Sequence, residues 1–205
     1  MKSWTRRLGT RITACILLIQ IVVMTAMVVF IGSVITNNTR KSTTNNMETV
    51  VEERGKIIEN YVQEAENTLT AYSRAGEITA LLNDPTDAGA AAAAQSYSEK
   101  FSADVKNLEG FYVSEWDTHV LAHTNEAVVG ITTREGESLK ALQEAMLAAD
   151  GVYNTGIIIS PASGKQIGSM YRAVLDESGN PIGLVGGGVF TTGLIQLLDS
   201  LTMQG

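Results

Sequence analysis

The sequence predicts an α+β protein: a membrane-spanning helix that continues into a long helix, then a domain built on a five-stranded antiparallel sheet. Three observations carry this prediction. Residues 12–35 hold no charged side chain. Residues 42–83 hold no proline and repeat apolar positions at helical spacing. From Gly110 onward the apolar period shortens to two, and clusters of turn formers separate the runs.

The uncharged stretch exceeds the roughly 20 residues that cross a bilayer core at about 1.5 Å per residue. It also exceeds the apolar region of about 7–15 residues in a secretory signal. Asn37, Asn38 and Arg40 follow it in place of a small-residue cleavage site. It is therefore read as a retained transmembrane helix, with a cleaved signal as the alternative. Lys2, Arg6, Arg7 and Arg11 precede it, whereas only Arg40 and Lys41 follow closely. Basic residues stay on the cytoplasmic side, so residues 1–11 are expected inside and residues 36–205 outside.

Charge divides the chain in the same place. Residues 1–41 carry six basic and no acidic side chains; the remainder carries nine basic against 22 acidic, leaving −13. So acidic an outer region excludes a nucleic-acid partner, which selects basic patches. Cys15 is the one cysteine and lies in the apolar segment, so no intrachain disulfide forms and the outer domain rests on its own core.

Val51, Ile58, Val62, Ala65, Leu69 and Tyr72 lie close to a heptad stripe, and Glu48, Glu52, Lys56, Glu59 and Glu66 fill the other faces. One helix is expected over 42–83, serving as spacer, as backbone for the following domain, or as a homodimer contact. Gly55 and Gly76 weaken it locally, and Asn83-Asp84-Pro85 stops it. The alanine-rich run 88–94 opens a further helix, because Tyr97, Phe101, Val105 and Leu108 follow at helical spacing; a linker is the alternative. A strand is expected from Gly110 to near Trp116, a tight connection at Asp117-Thr118, and a second strand over 119–122. Residues 135–149 read as helix, with Leu139, Leu142, Met146 and Ala149 on one side. Strands over 156–160, 166–175 and 182–190 follow, joined by turns at 161–164 and 177–181. A last helix spans 192–201. Hairpin-linked strands with helices set apart define α+β, and the sheet domain is expected over 95–201.

His119 and His123 share a helix face if the segment is helical, and would then reach one metal ion. Phe111, Tyr112, Val113 and Trp116 favour strand instead, which separates the histidines by about 13 Å, too far for one zinc. No metal site is expected. No G-x-S-x-G or S-x-x-K occurs, and the membrane cysteine is no nucleophile, so no catalytic residue is assigned and no enzyme is expected. Ser160-Pro161-Ala162-Ser163-Gly164-Lys165 lacks the phosphate-loop spacing and reads as a hairpin turn. The glycines of Gly183-Leu184-Val185-Gly186-Gly187-Gly188 admit either a close-packed helix or a ligand against the sheet. Alternation puts Tyr112, Ser114 and Trp116 on one face, and Ser169, Tyr171 and Ala173 on one face of a later strand. Aromatic walls with hydroxyls suit a small polar ligand; core packing is the alternative.

The order of these parts resembles the sensor region of a bacterial methyl-accepting chemotaxis protein with a Cache domain, a PAS-like fold. Asp117-Thr118-His119-Val120-Leu121-Ala122-His123-Thr124-Asn125, followed by Gly130, resembles a turn motif of the family. Asp176-Glu177-Ser178-Gly179-Asn180-Pro181-Ile182-Gly183-Leu184-Val185-Gly186 resembles its closing hairpin. The resemblance implies a receptor in the bacterial cell membrane that binds a small extracellular molecule, an organic acid or amino acid, without a cofactor. It implies a ligand site at Tyr112, Ser114, Trp116, His119, Tyr153, Ser169, Tyr171 and Gly188. Gly188 stands where many amino-acid-binding members carry an aspartate for the ligand's ammonium, which points to a different or larger ligand. The sequence ends at Gly205 without a second membrane helix or signalling domain, so it is read as a truncated receptor, ending between two Cache modules. The sensor of a histidine kinase or diguanylate cyclase, or a membrane-tethered hydrolase, are the alternatives.

Overall fold

The structure, a computed structural model, describes residues 2–202; the end of the sequence at Gly205, read above as falling between two modules, lies outside the described residues. The chain divides into two units, Met1–Gly55 and Lys56–Gly205. Helix α1 (Lys2–Ser73) makes up the described part of the first unit and enters the second. Every side chain of residues 12–35 is exposed, and α1 is the one helix among the described residues long and apolar enough to cross a membrane.

In the second unit α1 is followed by α2 (Gly76–Asn83) and α3 (Ala88–Ala103). Strands β1 (Leu108–Ser114) and β2 (Val120–His123) come next, then a 3-10 turn (Glu126–Val128) and α4 (Gly136–Ala148). Strands β3 (Tyr153–Ile159), β4 (Gln166–Leu175) and β5 (Pro181–Phe190) precede α5 (Thr191–Thr202). The five strands form one antiparallel sheet in the order β2-β1-β5-β4-β3. Its hairpins turn as expected: Asp176 Oδ1 accepts 2.8 Å bonds from the Ser178 and Asn180 N–H groups, and Gly179 takes φ 84 between them. The Ser160 hydroxyl accepts from the N–H groups of Ala162 (3.0 Å) and Ser163 (3.3 Å), so residues 160–165 form a hairpin turn.

The expected single helix over 42–83 is corrected: helix ends at Ser73 and restarts at Gly76, with Ala75 extended at ψ 142. The Arg74 and Ala75 N–H groups bond three residues back, to Ala71 and Tyr72, tightening the last turn. The break falls at Arg74-Ala75, just before Gly76, where helix preference is weakest. It lets Ile78, Leu81 and Leu82 join Ala65, Leu69 and Tyr72 in one buried cluster. The stop at Asn83 is as the sequence dictates.

One face of the sheet, through Phe111, Val113, Met170, Val174 and Val185, packs on α1, α2 and α3. Tyr72 is fully buried at its centre. Its ring stacks on Phe111 at 4.9 Å and lies within 5.9 Å of Tyr97 and 5.5 Å of Phe101. Its hydroxyl shares a 2.5 Å hydrogen bond with Ser98, and burial pushes the phenol pKa up. The other face, through Tyr171 and Leu184, packs on Leu142 and Met146 of α4.

Gly187 faces the helices, where an added Cβ would stand 2.6 Å from the Phe111 ring and 3.5 Å from Leu69 Cδ1. Close helix packing therefore explains this glycine. Leu69→Ala is expected to cost about 2–5 kcal/mol through the cavity it leaves, and Gly187→Ala about 1–3 kcal/mol through overpacking. Urea denaturation followed by tryptophan fluorescence reads both; two neutral substitutions contradict this packing.

Candidate functional site

Beyond α4's footprint, the second face of the sheet opens into a cavity of about 320 Å³. That is the lower end of the volumes that hold small ligands, about 300–1,000 Å³. Register explains its floor. Gly110 pairs with Gly188, and Gly188 with Ser169, so two of three adjacent strands contribute no side chain of their own there, and Thr124, Ile167 and Glu109 reach in over the glycines. One row along, Tyr112 pairs with Gly186, and Gly186 with Tyr171. An added Cβ at Gly186 would run into the Tyr112 ring, so the bare glycine is what lets that ring lie down on the sheet. His123 pairs with Tyr112 across the β1–β2 ladder and stacks on it at 5.4 Å and 10°.

The cavity's cation is Arg134, in the loop before α4. Its Nη2 donates to the Tyr171 hydroxyl at 3.2 Å, and its guanidinium lies 5.5 Å from the centre of that ring. This hydrogen bond raises the guanidinium pKa further, against burial. Burial, then the neighbouring Tyr171 hydroxyl, push the Tyr112 phenol well above its ordinary value, so it stays neutral. The loop is clamped by Thr118: the Arg134 N–H donates to Thr118 Oγ1 at 3.0 Å, and that hydroxyl donates to the Arg134 carbonyl at 3.1 Å. Thr118 is buried at φ 71, a conformation costly for a β-branched residue, and the surrounding turn holds it there. The Asp117-Thr118 connection thus positions Arg134.

His123 completes the wall. Its Nδ1 accepts the Asn125 N–H at 2.8 Å, so its ring proton sits on Nε2. Burial lowers its pKa, opposed by the charge of Glu109. Glu109, on β1, also lines the cavity.

Of the residues the sequence singled out, Tyr112, Ser169, Tyr171 and Gly188 meet at the cavity; Ser114, Trp116, His119 and Tyr153 do not line it. Strand β1 ends at Ser114, so Trp116 lies beyond the strand, on the same side of the sheet as Tyr112 and Tyr171 but away from the cavity. Trp116 packs in the α4 cluster instead, and its carbonyl accepts from Gln143 Nε2 at 2.9 Å. Ser114 is buried. Tyr153 packs beside Tyr171 in the α4 cluster. His119 lies just before β2, bridging Thr132 through the backbone. No group of three metal-ligating side chains occurs among the described residues.

Sequence reasoning missed Arg134, His123 as a wall, and Glu109. Arg134 offers only a faint signal, a cation in an acidic region. Gly110 near the start of a strand is a bulge signal and would have drawn attention to Glu109.

No protein-family model and no curated protein sequence matches the chain. The fold is that of bacterial sensor domains. It superposes on the sensor domain of the Vibrio cholerae histidine kinase DctB with TM-score 0.62 at 10% identity, covering 76% of this chain and 59% of that one. For the Campylobacter jejuni chemoreceptor Tlp3 with isoleucine bound the values are 0.58 and 14%, covering 77% and 63%. For the Escherichia coli DcuS sensor domain they are 0.54 and 15%, covering 70% and 98%. The chain thus spans under two thirds of the first and second of these structures.

Thr118→Ala removes both bonds that hold Arg134 and is expected to cost about 1–3 kcal/mol, read by thermal melting; no loss contradicts the clamp. Because the folded-state pKa of His123 lies below that of the unfolded chain, the unfolded chain binds the extra proton. His123 therefore destabilises the fold as pH falls below about 6.5. His123→Gln is expected to flatten the melting temperature between pH 7.5 and 5.5; an unchanged slope contradicts this assignment.

Proposed function

We propose that the chain is the membrane-anchored sensor of a chemotaxis receptor, and that it binds a small extracellular ligand in the cavity over β1, β5 and β4. The observation that carries this reading is the convergence of Arg134, Tyr112, Tyr171 and His123 on one concave site above a nearly bare floor. A guanidinium framed by phenols suits a carboxylate. Solved sensor domains of the same fold hold such ligands: Tlp3 was determined with isoleucine and with L-valine, and the Pseudomonas fluorescens chemoreceptor CtaA with L-serine. Residues 12–35 form the anchor, and the basic flank keeps the N-terminus in the cytoplasm.

Signalling follows from the two-sided sheet. Leu69 and Tyr72 of α1 pack on the face opposite the cavity, so a ligand that draws Tyr112 and Tyr171 together moves strands on which α1 rests. Met47, Val50, Val51 and Ile58 leave an exposed apolar stripe on α1, the surface for a homodimer contact. A second reading, the sensor of a histidine kinase, draws on the likeness to the DctB domain; the output domain of the receptor separates the two.

Melting of the full chain in lipid nanodiscs, screened against amino acids, organic acids, amines and purines, tests the proposal. A compound at a hundred times its dissociation constant is expected to add about 2.7 kcal/mol. The gain given by a carboxylate-bearing compound is expected to vanish in Arg134→Gln and to persist in Trp116→Ala. If no compound raises the melting temperature, or Arg134→Gln leaves the gain of a carboxylate-bearing compound intact, the proposal fails.

A further inference from the structure

Glu109 has a place in the sheet that its sequence position conceals. The β1–β5 ladder pairs Leu108 with Val189 and Gly110 with Gly188, and skips Glu109. At such a bulge two residues of one strand oppose one of the next, and the extra side chain is re-aimed. Regular alternation would set Glu109 on the face opposite Gly110; both line the cavity. Its carboxylate lies against the floor, with Oε2 2.8 Å from where a Cβ at Gly188 would stand. Its Oε1 is sealed from solvent without a hydrogen-bond partner, and no described residue donates to either oxygen. No basic side chain forms an ion pair with it among the described residues, and its charge acts on His123.

A half-buried carboxylate without donors is costly, and such groups are kept when something pairs with them. The cavity's own cation does not pair with it: Arg134 makes its bond to the Tyr171 hydroxyl and lies over that ring. A ligand that carries N–H donors and a positive charge satisfies it best. We propose that Glu109 is the ammonium-binding residue of this site, so that the ligand is a protonated amine, either a free amine or the amino group of a zwitterion whose carboxylate meets Arg134. Gly188 serves this arrangement by leaving room for the carboxylate. The inference rests on the ligand-sensing reading given above and narrows its chemistry.

The test uses three matched sets of compounds on the full chain in nanodiscs: L-amino acids, the corresponding 2-hydroxy acids, and the amines left when the carboxylate is removed. Only compounds bearing an ammonium are expected to raise the melting temperature. Response to both ammonium sets indicates a free-amine site; response to amino acids alone indicates that Arg134 binds the second charge. Glu109→Gln is expected to weaken binding of the best compound about ten- to a hundred-fold, the usual effect of losing a charge-assisted hydrogen bond. Without ligand, Glu109→Gln is expected to melt at the parent's temperature or above, because it removes an unpaired charge; a residue kept for stability would melt lower. Gly188→Ala, which displaces the carboxylate, is expected to weaken the same compounds. Hydroxy acids that bind as tightly as amino acids, with Glu109→Gln unaffected, overturn this assignment and leave ligand sensing standing. No response to any compound overturns both.

Discussion

The structure turns on the absence of side chains at the centre of its sheet. Strand β5 lies between β1 and β4 and carries glycine at 186, 187 and 188. Each glycine gives way to something different. Gly187 admits Phe111 and Leu69 on the helical face, Gly186 admits the Tyr112 ring on the other, and Gly188 admits the Glu109 carboxylate and Ile167. Glycines inside a strand cost conformational entropy and forfeit packing. The strand recovers that loss by letting large groups approach from both faces. Core and cavity therefore share one backbone, with two layers of side chains only a sheet's thickness apart.

That sharing gives the cavity its chemistry. The floor is formed by Gly110, Gly188 and Ser169, and Tyr112 and Tyr171 form a wall of phenols, with burial keeping the Tyr112 hydroxyl neutral. The cation arrives from a loop rather than a strand, and a loop needs holding. Thr118 does this with two hydrogen bonds to the backbone of Arg134, at the expense of a left-handed conformation. Strain and charge thus sit at opposite ends of one short hydrogen-bonded path. The same strands that line the cavity support Tyr72 and Leu69 on their far side, which gives any movement of the wall a route to α1.

Much of this was legible in the sequence because it depends on local pattern. Residues 166–175 form β4 with the expected bounds between two turns, and the proline after Asp84 ends α2 where the backbone must leave helical geometry. Tyr112 and Tyr171 could be set on one face because a period of two needs no tertiary knowledge. What was not legible depends on departures from that period. Strand β1 stops at Ser114, short of Trp116, and the bulge at Glu109 moves an acid from one face to the other. The helix break at Arg74-Ala75 follows from the need of Ile78, Leu81 and Leu82 to reach the sheet, and the helical stripe continues through it without a mark. Arg134 lies in a loop whose position is set by contacts with residue 118, which no periodicity reports.

A structure of the chain determined with its best-binding compound is the most direct measurement of the central claim, that the bare stretch of β5 is the floor of the ligand site. The compound is expected over Gly188, between Arg134, Tyr112 and Glu109. Density instead in the groove lined by Tyr61, Thr68, Lys106 and Asn107 beside α1, with the cavity over β5 unchanged, would contradict it.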